Sequence, residues 1–160
     1  MRTHRQLTLV AAAVVWLSIL MLTTGLSASE IRLSRGQTVY VPIYSHIYSG
    51  DRERPFLLTA ILSVRNTDPA HSITISTIDY YSSDGKLIKK YIDRPVELQP
   101  LASARYIVPE SDSSGGSGAN FIVKWKADSE VNNVIVEGVM IGAKMQQGIS
   151  FVSRGQVIKE

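Results

Sequence analysis

The sequence predicts an all-β protein, an antiparallel β-sandwich of the immunoglobulin-like or a related type, with about eight strands. Apolar and polar residues alternate with a period of two in many segments between residues 38 and 152. Turn-forming residues separate these segments at intervals of roughly 8–15 residues. No segment shows the helical period that the crossovers of a parallel sheet require. These three observations together favour antiparallel strands packed in two layers.

Residues 1–29 are predicted to be a secretory signal peptide, and residues 30–160 a single domain. Arg2 and Arg5 precede an uncharged, 16-residue apolar run over 7–22, and small and polar residues follow it. This order is typical of a secretory signal, whereas a membrane-spanning helix needs about 20 apolar residues. We therefore expect cleavage after Ala28 or Ser29 and a periplasmic or secreted protein. An uncleaved N-terminal membrane anchor is the minor alternative.

The first predicted strand covers residues 38–48, where alternation is continuous. Pro42 cannot donate to a strand ladder, so this strand is expected to be an edge strand or to break there. Alternation places two sets of side chains on opposite faces. One face carries Val39, Val41, Ile43 and Ile47, and the other carries Tyr40, Pro42, Tyr44, His46 and Tyr48.

Three further strands are predicted over residues 58–66, 72–81 and 86–92. The first of them directs Leu58, Ala60, Leu62 and Val64 inward. In the second, the apolar positions change parity, which indicates a β-bulge near Ser76–Thr77. The dipeptide Asp84-Gly85 is typical of a hairpin turn between the second and third, because glycine readily adopts positive φ.

The remaining strands are predicted over 102–108, 120–127, 134–143 and 148–152. Phe121, Val123 and Trp125 alternate with lysines and are expected to form the clearest part of the core. The segment 134–143 is apolar at both parities, so we expect a central strand there.

Composition excludes several function classes. The sequence has no cysteine, which excludes disulfides, cysteine–zinc sites, thiol nucleophiles and a bacterial lipid anchor on cysteine. Lysine and arginine number 17 against 14 acidic residues, and loss of Arg2 and Arg5 with the leader brings the two close to balance. The longest basic run is Lys89–Lys90, so no nucleic-acid partner is expected.

The aromatic face of the first strand is the best candidate site. Tyr40, Tyr44, His46 and Tyr48 present rings that can stack on a sugar, a peptide or a partner subunit. Arg52 and Arg54 follow and could bind a carboxylate or phosphate beside the rings. The alternatives are that the rings only cover the sheet and that the arginines belong to a solvated loop.

A glycine-rich loop over residues 110–119 is the second candidate. Backbone N–H groups of Gly115, Gly116 and Gly118 could cradle an anion, and Asp112 and Asn120 could offer oxygen ligands to Ca²⁺. The loop leads into a strand, however, whereas phosphate-binding loops lead into a helix. A mobile or tightly turned connection is the preferred interpretation.

Catalytic and metal sites find little support. After the leader only His46 and His71 remain as histidines, too few for a zinc site, although Met140 and Met145 could join them around copper. Glu137 lies in an apolar segment and could be a buried acid, but an outward position is favoured. We assign no catalytic residue, no metal and no cofactor.

Two hypotheses of function remain. The first is an extracytoplasmic, non-catalytic binding or assembly module that recognises a protein, peptide or glycan through the aromatic face. The alternative is a periplasmic hydrolase or metal-handling protein that uses His46, Asp112, Asn120 or Glu137. A homo-oligomer is left open, and membrane contact is expected only if the leader stays uncleaved.

Four segments resemble the bacterial "domain of unknown function 3124" (DUF3124) family: YVPIYSHIY (40–48), SVRNTDP (63–69), GGSGANFIVKW (115–125) and VMIGAKMQQGISFVSRG (139–155). The resemblance covers roughly residues 38–155 and implies an extracytoplasmic domain without an established activity. Many members resemble lipoproteins, from which this cysteine-free leader departs. Residues 57–141 more faintly resemble the β-sandwich of soluble sensory-rhodopsin transducers, through the RNTDP turn and Asp79-Tyr80-Tyr81. Those transducers are oligomeric binding modules, which suits a binding role.

Overall fold

Two antiparallel sheets and a short two-stranded ribbon make up the fold. The computed structural model describes residues 33–49, 54–144 and 147–159, which all lie within one compact unit, Arg32–Glu160. The predicted leader, residues 1–29, lies outside the described residues. Within the described ranges, no helix is long and apolar enough to cross a membrane.

The larger sheet has six strands in the order β12-β1-β9-β5-β6, and β7 also pairs with β5. Its strands are β1 (Leu33–Ile43), β5 (Ile73–Tyr81), β6 (Leu87–Lys90), β7 (Val96–Leu98), β9 (Ala119–Asn132) and β12 (Gln156–Lys159). We call it the large sheet.

The second sheet, here the small sheet, has the order β11-β10-β4-β8. Its strands are β4 (Thr59–Arg65), β8 (Ser103–Val108), β10 (Ile135–Lys144) and β11 (Gln147–Arg154). The ribbon pairs β2 (His46–Ser49) with β3 (Arg54–Leu57). Because β10 lies between β11 and β4, the predicted central position of residues 134–143 is confirmed.

The core lies between the two sheets, as in a sandwich. Phe121 and Val123 of the large sheet are fully buried, and Trp125 is 3% exposed. Leu62 and Val64 of the small sheet belong to the same buried cluster. The antiparallel sandwich and the predicted inward faces are therefore confirmed.

Two local predictions are also confirmed. The register of β5 against β9 shifts between Ile75 and Thr77, at the predicted β-bulge. Gly85 adopts φ 74° in the turn that joins β5 to β6, and its N–H donates to the Ser82 carbonyl at 2.9 Å. Glycine is suited to this turn because a side chain would strain a positive φ.

The number of strands and the length of the first strand differ from prediction. The described residues form twelve strands, whereas about eight were expected. The short strands β3, β7 and β12 were not predicted. The segment predicted as a strand over 38–48 ends at Ile43, and the chain resumes as a separate strand at His46.

The break falls at Ser45, not at Pro42. The Ser45 N–H donates to the Gly116 carbonyl (3.1 Å), and its carbonyl accepts from Leu58 N–H (2.9 Å), so neither group can continue the β1 ladder. Pro42 still lies opposite Asn120 of β9, and the β12 pairing has already ended at Tyr40. Pro42 is thus tolerated because β1 is locally an edge there.

Candidate functional site

The aromatic residues predicted to share one strand face are divided among three environments. Tyr40 is half-buried on β1, opposite Ile122 of β9. Tyr44 lies in the break after β1 and packs edge-on against Phe151, with ring centroids 5.6 Å apart. The expectation of one continuous aromatic face is therefore wrong, because the chain turns at Ser45.

His46 and Tyr48 stay together on the ribbon. Their rings meet edge-on with centroids 5.2 Å apart, and cross-strand pairing places Leu57 and Pro55 beside them on the same face. Tyr48 is 56% exposed. The opposite face, with Ile47 and Phe56, packs against the core. The ribbon therefore presents an aromatic and aliphatic face to solvent.

A chain of hydrogen bonds orients His46. The Ser45 Oγ lies 3.2 Å from His46 Nδ1, and Tyr48 Oη lies 3.3 Å from His46 Nε2. Ser45 has one hydroxyl hydrogen, which it donates to the Gly116 carbonyl at 3.0 Å. These contacts at both ring nitrogens orient the imidazole, and Ser45 itself is fully buried.

The glycine-rich loop is a tightly turned connection, one of the two forms that the sequence analysis preferred. Gly116 N–H donates to Ser45 Oγ (3.0 Å), and Gly118 N–H donates to Ser83 Oγ (2.9 Å). Gly115 is buried, and a Cβ there would collide with the Tyr80 hydroxyl. The N–H groups of Gly116 and Gly118 are thus used by side chains of the protein, so the anion cradle suggested by the sequence is not formed there.

Asp112 and Asn120 do not form a shared oxygen site. Asp112 accepts from Ser114 N–H (3.1 Å) and from the Ser114 hydroxyl within its own turn. Asn120 lies at the start of β9, between Pro42 and Tyr81. No group of three or more potential ligands occurs among the described residues.

Asp112 also acts on the aromatic cluster beneath the loop. Burial, with a further contribution from Asp112, raises the pKa of Tyr91 to about 12 and raises that of Tyr80 as well. The ring of Tyr80 stacks near Phe121, with centroids 5.0 Å apart. Tyr91 donates from its hydroxyl to the Ile107 carbonyl at 3.0 Å and so links to β8. These tyrosines are held neutral and serve the packing of the two layers.

The RNTDP segment is a structural junction. The Asn66 side-chain amide donates to the carbonyls of His71 (2.8 Å) and Gln99 (3.0 Å). Asp68 accepts from the N–H groups of Ala70 (2.9 Å), His71 (2.8 Å) and Asn132 (3.2 Å). His71 Nδ1 lies 3.1 Å from Asp68 Oδ1. These hydrogen bonds link the turn to the connection at Gln99 and to the end of β9 at Asn132. Within the turn, His71 pairs with the carboxylate of Asp68.

The remaining predicted residues are dispersed. Arg54 is exposed at the start of β3, opposite Ser49. Met140 is fully buried in the core. Arg52 and Met145 lie outside the described residues. Glu137 faces outward on β10 and lies 3.5 Å from Arg65 Nε.

The outer face of the small sheet carries a row of aliphatic side chains that crosses all four strands. Strand register pairs Val152 with Val139, Val139 with Ile61, and Ile61 with Ile107. Directly paired residues share a face, and Val152 and Ile107 are 55% and 46% exposed. We call these four residues the aliphatic row.

Polar and apolar residues flank the row on its two sides. On one side lie Arg154, Glu137 and Arg105, connected through Ser63. On the other side lies Ile141, which is 46% exposed and faces Thr59 and Ser150. The exposed apolar surface therefore extends from the row toward the ribbon.

A cleft of about 310 Å³ joins this surface to the ribbon. Its walls combine ribbon residues with one residue of β10 and one of the connection after β8. They are Pro55, Phe56, Leu57, Ala143 and Glu110. The aliphatic row, Ile141, this cleft and the ribbon face thus form one surface, which we call the small-sheet surface.

Sequence reasoning did not find the aliphatic row. The signal was present, because residues 134–143 are apolar at both parities and a strand of that kind has apolar side chains on both faces. Ile61 and Ile107 reinforce it only once the register of β4, β8 and β10 is known.

Comparisons with known proteins give a family and a match to a solved structure. A model of the family described as "Protein of unknown function (DUF3124)" matches residues 36–158. The crystal structure of Thermotoga maritima 1070 is similar over 75% of this chain and 92% of that chain, with a TM-score of 0.46 and 12% sequence identity. No curated protein matches. The fainter resemblance to sensory-rhodopsin transducers is not shown by these comparisons.

Proposed function

The chain belongs to the DUF3124 family, and on that premise we propose that it is an extracytoplasmic, non-catalytic assembly module whose small-sheet surface packs against a second copy. The observation that carries this proposal is the aliphatic row, Val152, Val139, Ile61 and Ile107, which crosses a whole sheet on its solvent side. An apolar patch of this kind on a monomer costs hydration unless something covers it.

The size of the surface suits an interface between two copies. Four strands and about seven residues along each give an outline of roughly 15 Å by 20 Å. Two such surfaces, with their ribbons, would bury on the order of 1,000 Å² in total, near the lower limit of specific interfaces. We therefore expect a reversible dimer.

Charge is compatible with a two-fold arrangement. Arg105 and Arg154 lie on one side of the aliphatic row only. If the two-fold axis runs along the row, the arginines of one copy lie over the Ile141 side of the other, and the two sets of arginines do not oppose each other. An apolar centre with a charged rim is the usual composition of such an interface.

The ribbon gives the aromatic residues a part in the same surface. Tyr48 and Leu57 are exposed beside the cleft that Ala143 and Phe56 line. Aromatic side chains are enriched at the energetic centres of interfaces, because they bury a large area with few rotatable bonds.

Sedimentation equilibrium tests the proposal on the protein exported with its own leader. The wild type should shift from one to two chains as concentration rises through the micromolar range. Ile107→Lys/Ile141→Lys should weaken association at least 100-fold, since the first substitution puts a charge into the aliphatic row and the second puts one opposite the arginines of the other copy. Leu87→Lys, at a similarly exposed position on β6 of the other sheet, is the matched control.

The result that would overturn the proposal is a wild type that remains a single chain at millimolar concentration. Association that the double variant leaves unchanged would also overturn it, because another surface would then hold the copies together. Circular dichroism and thermal unfolding of each variant establish that the fold is intact.

A further inference from the structure

The large sheet carries a basic cleft on the side of the molecule away from the small-sheet surface. Strand register places Lys159, Thr38 and Lys124 side by side across β12, β1 and β9. Arg35 lies next to them, at the point where the register of β1 against β9 shifts. The cleft has a volume of about 510 Å³, and its walls are Arg35, Gly36, Gln37, Thr38, Lys124, Trp125 and Lys159.

The charged residues that line this cleft are all cationic. None of the described residues that line it is acidic, and three of them are cationic. The ion pairs found in the described part of the chain, Arg65–Glu137 and His71–Asp68, lie elsewhere. Cations held together on one concave surface create a positive potential that concentrates anions.

Local backbone structure supports the cleft. Ser34 Oγ accepts from Gly36 N–H (3.1 Å) and donates to the Gly36 carbonyl (3.0 Å), which fixes the irregular segment that contains Arg35. A Cβ at Gly36 would lie 2.8 Å from the Trp125 carbonyl oxygen, so only glycine fits this part of the wall. The irregular pairing of β1 with β9 therefore fixes the position of Arg35 beside the lysines.

Trp125 separates the cleft from the core. Its backbone carbonyl lies against Gly36 in the cleft wall. Its side chain is 3% exposed and packs in the core, on the face of β9 opposite Lys124. The cleft therefore lies on the outer face of the large sheet, with the core directly behind it.

We propose that this basic cleft binds a ligand bearing phosphate groups. Two lysine ammonium groups and the planar guanidinium of Arg35 match the charge and the several acceptor oxygens of phosphate better than those of a single carboxylate. The Thr38 hydroxyl lies between Lys124 and Lys159 and can add a neutral donor. The site is independent of the proposed assembly surface, because it lies on the other sheet.

Phosphate groups occur both on soluble molecules and on lipid headgroups, and two probes separate these sources. Inorganic pyrophosphate represents the soluble source, and vesicles of phosphatidylglycerol represent the lipid, with phosphatidylcholine vesicles as the neutral comparison. Binding is measured on the exported protein by calorimetry at about 0.1 M salt, where distant charges are largely screened.

Lys124→Gln/Lys159→Gln should weaken binding of the effective probe at least tenfold. Lys86→Gln/Lys90→Gln removes the same charge from the β5–β6 hairpin and should change affinity less than twofold. Pyrophosphate binding identifies a soluble ligand, and binding to phosphatidylglycerol vesicles alone identifies a lipid headgroup.

The proposal is wrong if neither probe binds at this salt concentration. It is equally wrong if both double variants lose affinity to the same extent, since net charge and not the cleft would then attract the anion. Failure here leaves the assembly proposal unaffected, because sedimentation depends on residues of the small sheet.

Discussion

Ser45 and Gly116, which are 71 positions apart in the sequence, hold each other through reciprocal hydrogen bonds. Gly116 N–H donates to Ser45 Oγ, and the Ser45 hydroxyl donates to the Gly116 carbonyl, both at 3.0 Å. This contact stops β1, starts the ribbon and fixes the glycine-rich loop. It therefore sets the position of the exposed His46–Tyr48 face.

Removing the Ser45 hydroxyl should destabilise the domain. Ser45→Ala removes two hydrogen bonds, from the Gly116 N–H and to the Gly116 carbonyl, and at roughly 0.5–1.5 kcal/mol each this should cost about 1–3 kcal/mol of the free energy of unfolding. Urea denaturation measures the change. Ser103→Ala, at an exposed serine at the start of β8, is the control and should be within about 0.5 kcal/mol of wild type. Equal stability of the two variants would contradict the role assigned to Ser45.

Trp125→Ala should lower the free energy of unfolding by about 3–5 kcal/mol, the usual range for truncating a buried aromatic residue. The side chain is 3% exposed and belongs to the central core cluster. Chemical denaturation gives the value. A loss below about 1 kcal/mol would mean that Trp125 contributes little to the core.

Asp68 should make the domain sensitive to acid. The backbone N–H of Ala70, together with those of His71 and Asn132, lowers the pKa of Asp68 from 3.8 to about 2 despite its burial. A carboxyl with a lowered pKa in the folded state adds stability above its unfolded pKa, and that stability is lost as pH falls from about 4 to 2.

Thermal unfolding between pH 2 and pH 7 measures this dependence. Asp68→Asn should lower the midpoint at neutral pH and should flatten the decline between pH 4 and pH 2. Asp84→Asn, in the exposed hairpin turn, should follow the wild-type profile. A parallel decline in wild type and Asp68→Asn would assign acid sensitivity to other carboxylates.

How much of the molecule the sequence could predict depends on the range of the interactions involved. Phe121 and Trp125 were predicted correctly as core, because side-chain direction in a strand alternates with sequence position alone. The break at Ser45 could not be predicted, since it depends on Gly116, a distant residue. Its hydrogen bonds override a strand pattern that continues through Tyr48.

In the candidate site, too, local features could be predicted and long-range ones could not. Sequence placed His46 and Tyr48 on one face, and they do remain neighbours, because they belong to one short strand. The aliphatic row depends on which of four strands lie side by side and in which register, as for Ile61 opposite both Val139 and Ile107. A single sequence contains no local signal of that register.

Removing the hydroxyl group should have different effects on the free energy of unfolding at Tyr80 and at Tyr91. The Tyr80 hydroxyl is buried without a partner among the described residues, so Tyr80→Phe should leave stability unchanged or raise it by about 1 kcal/mol. The Tyr91 hydroxyl donates to the Ile107 carbonyl, so Tyr91→Phe should cost about 1 kcal/mol. Urea denaturation of both variants is the measurement, and each serves as the control for the other.

The same tyrosines should limit stability at alkaline pH. Burial raises the pKa of Tyr91 to about 12 from its usual 10.0. An acid with a raised pKa in the folded state gives its full contribution below pH 10 and loses it as pH rises from about 10 to 12. Tyr91→Phe should therefore reduce the decline in thermal midpoint over that window. An unchanged decline would assign it to other groups.

Single substitutions of Tyr44 and Tyr48 should separate a packing residue from a recognition residue. Tyr44 packs on Phe151 and the core, so Tyr44→Ala should cost about 2–4 kcal/mol of the free energy of unfolding. Tyr48 is more than half exposed, so Tyr48→Ala should leave the unfolding midpoint within about 2 °C of wild type.

Self-association should respond to Tyr48 because its ring extends the apolar surface beside Leu57 and the ribbon cleft. Tyr48→Ala should weaken the dimer about tenfold by sedimentation equilibrium, an effect of roughly 1.4 kcal/mol. Tyr48→Phe keeps the ring and loses only the contact with His46 Nε2, so it should retain most of the affinity. If Tyr48→Ala unfolds the domain, the ring belongs to the core. If instead the dimer is as tight as in wild type, the ribbon takes no part in assembly, and the contact is confined to the aliphatic row.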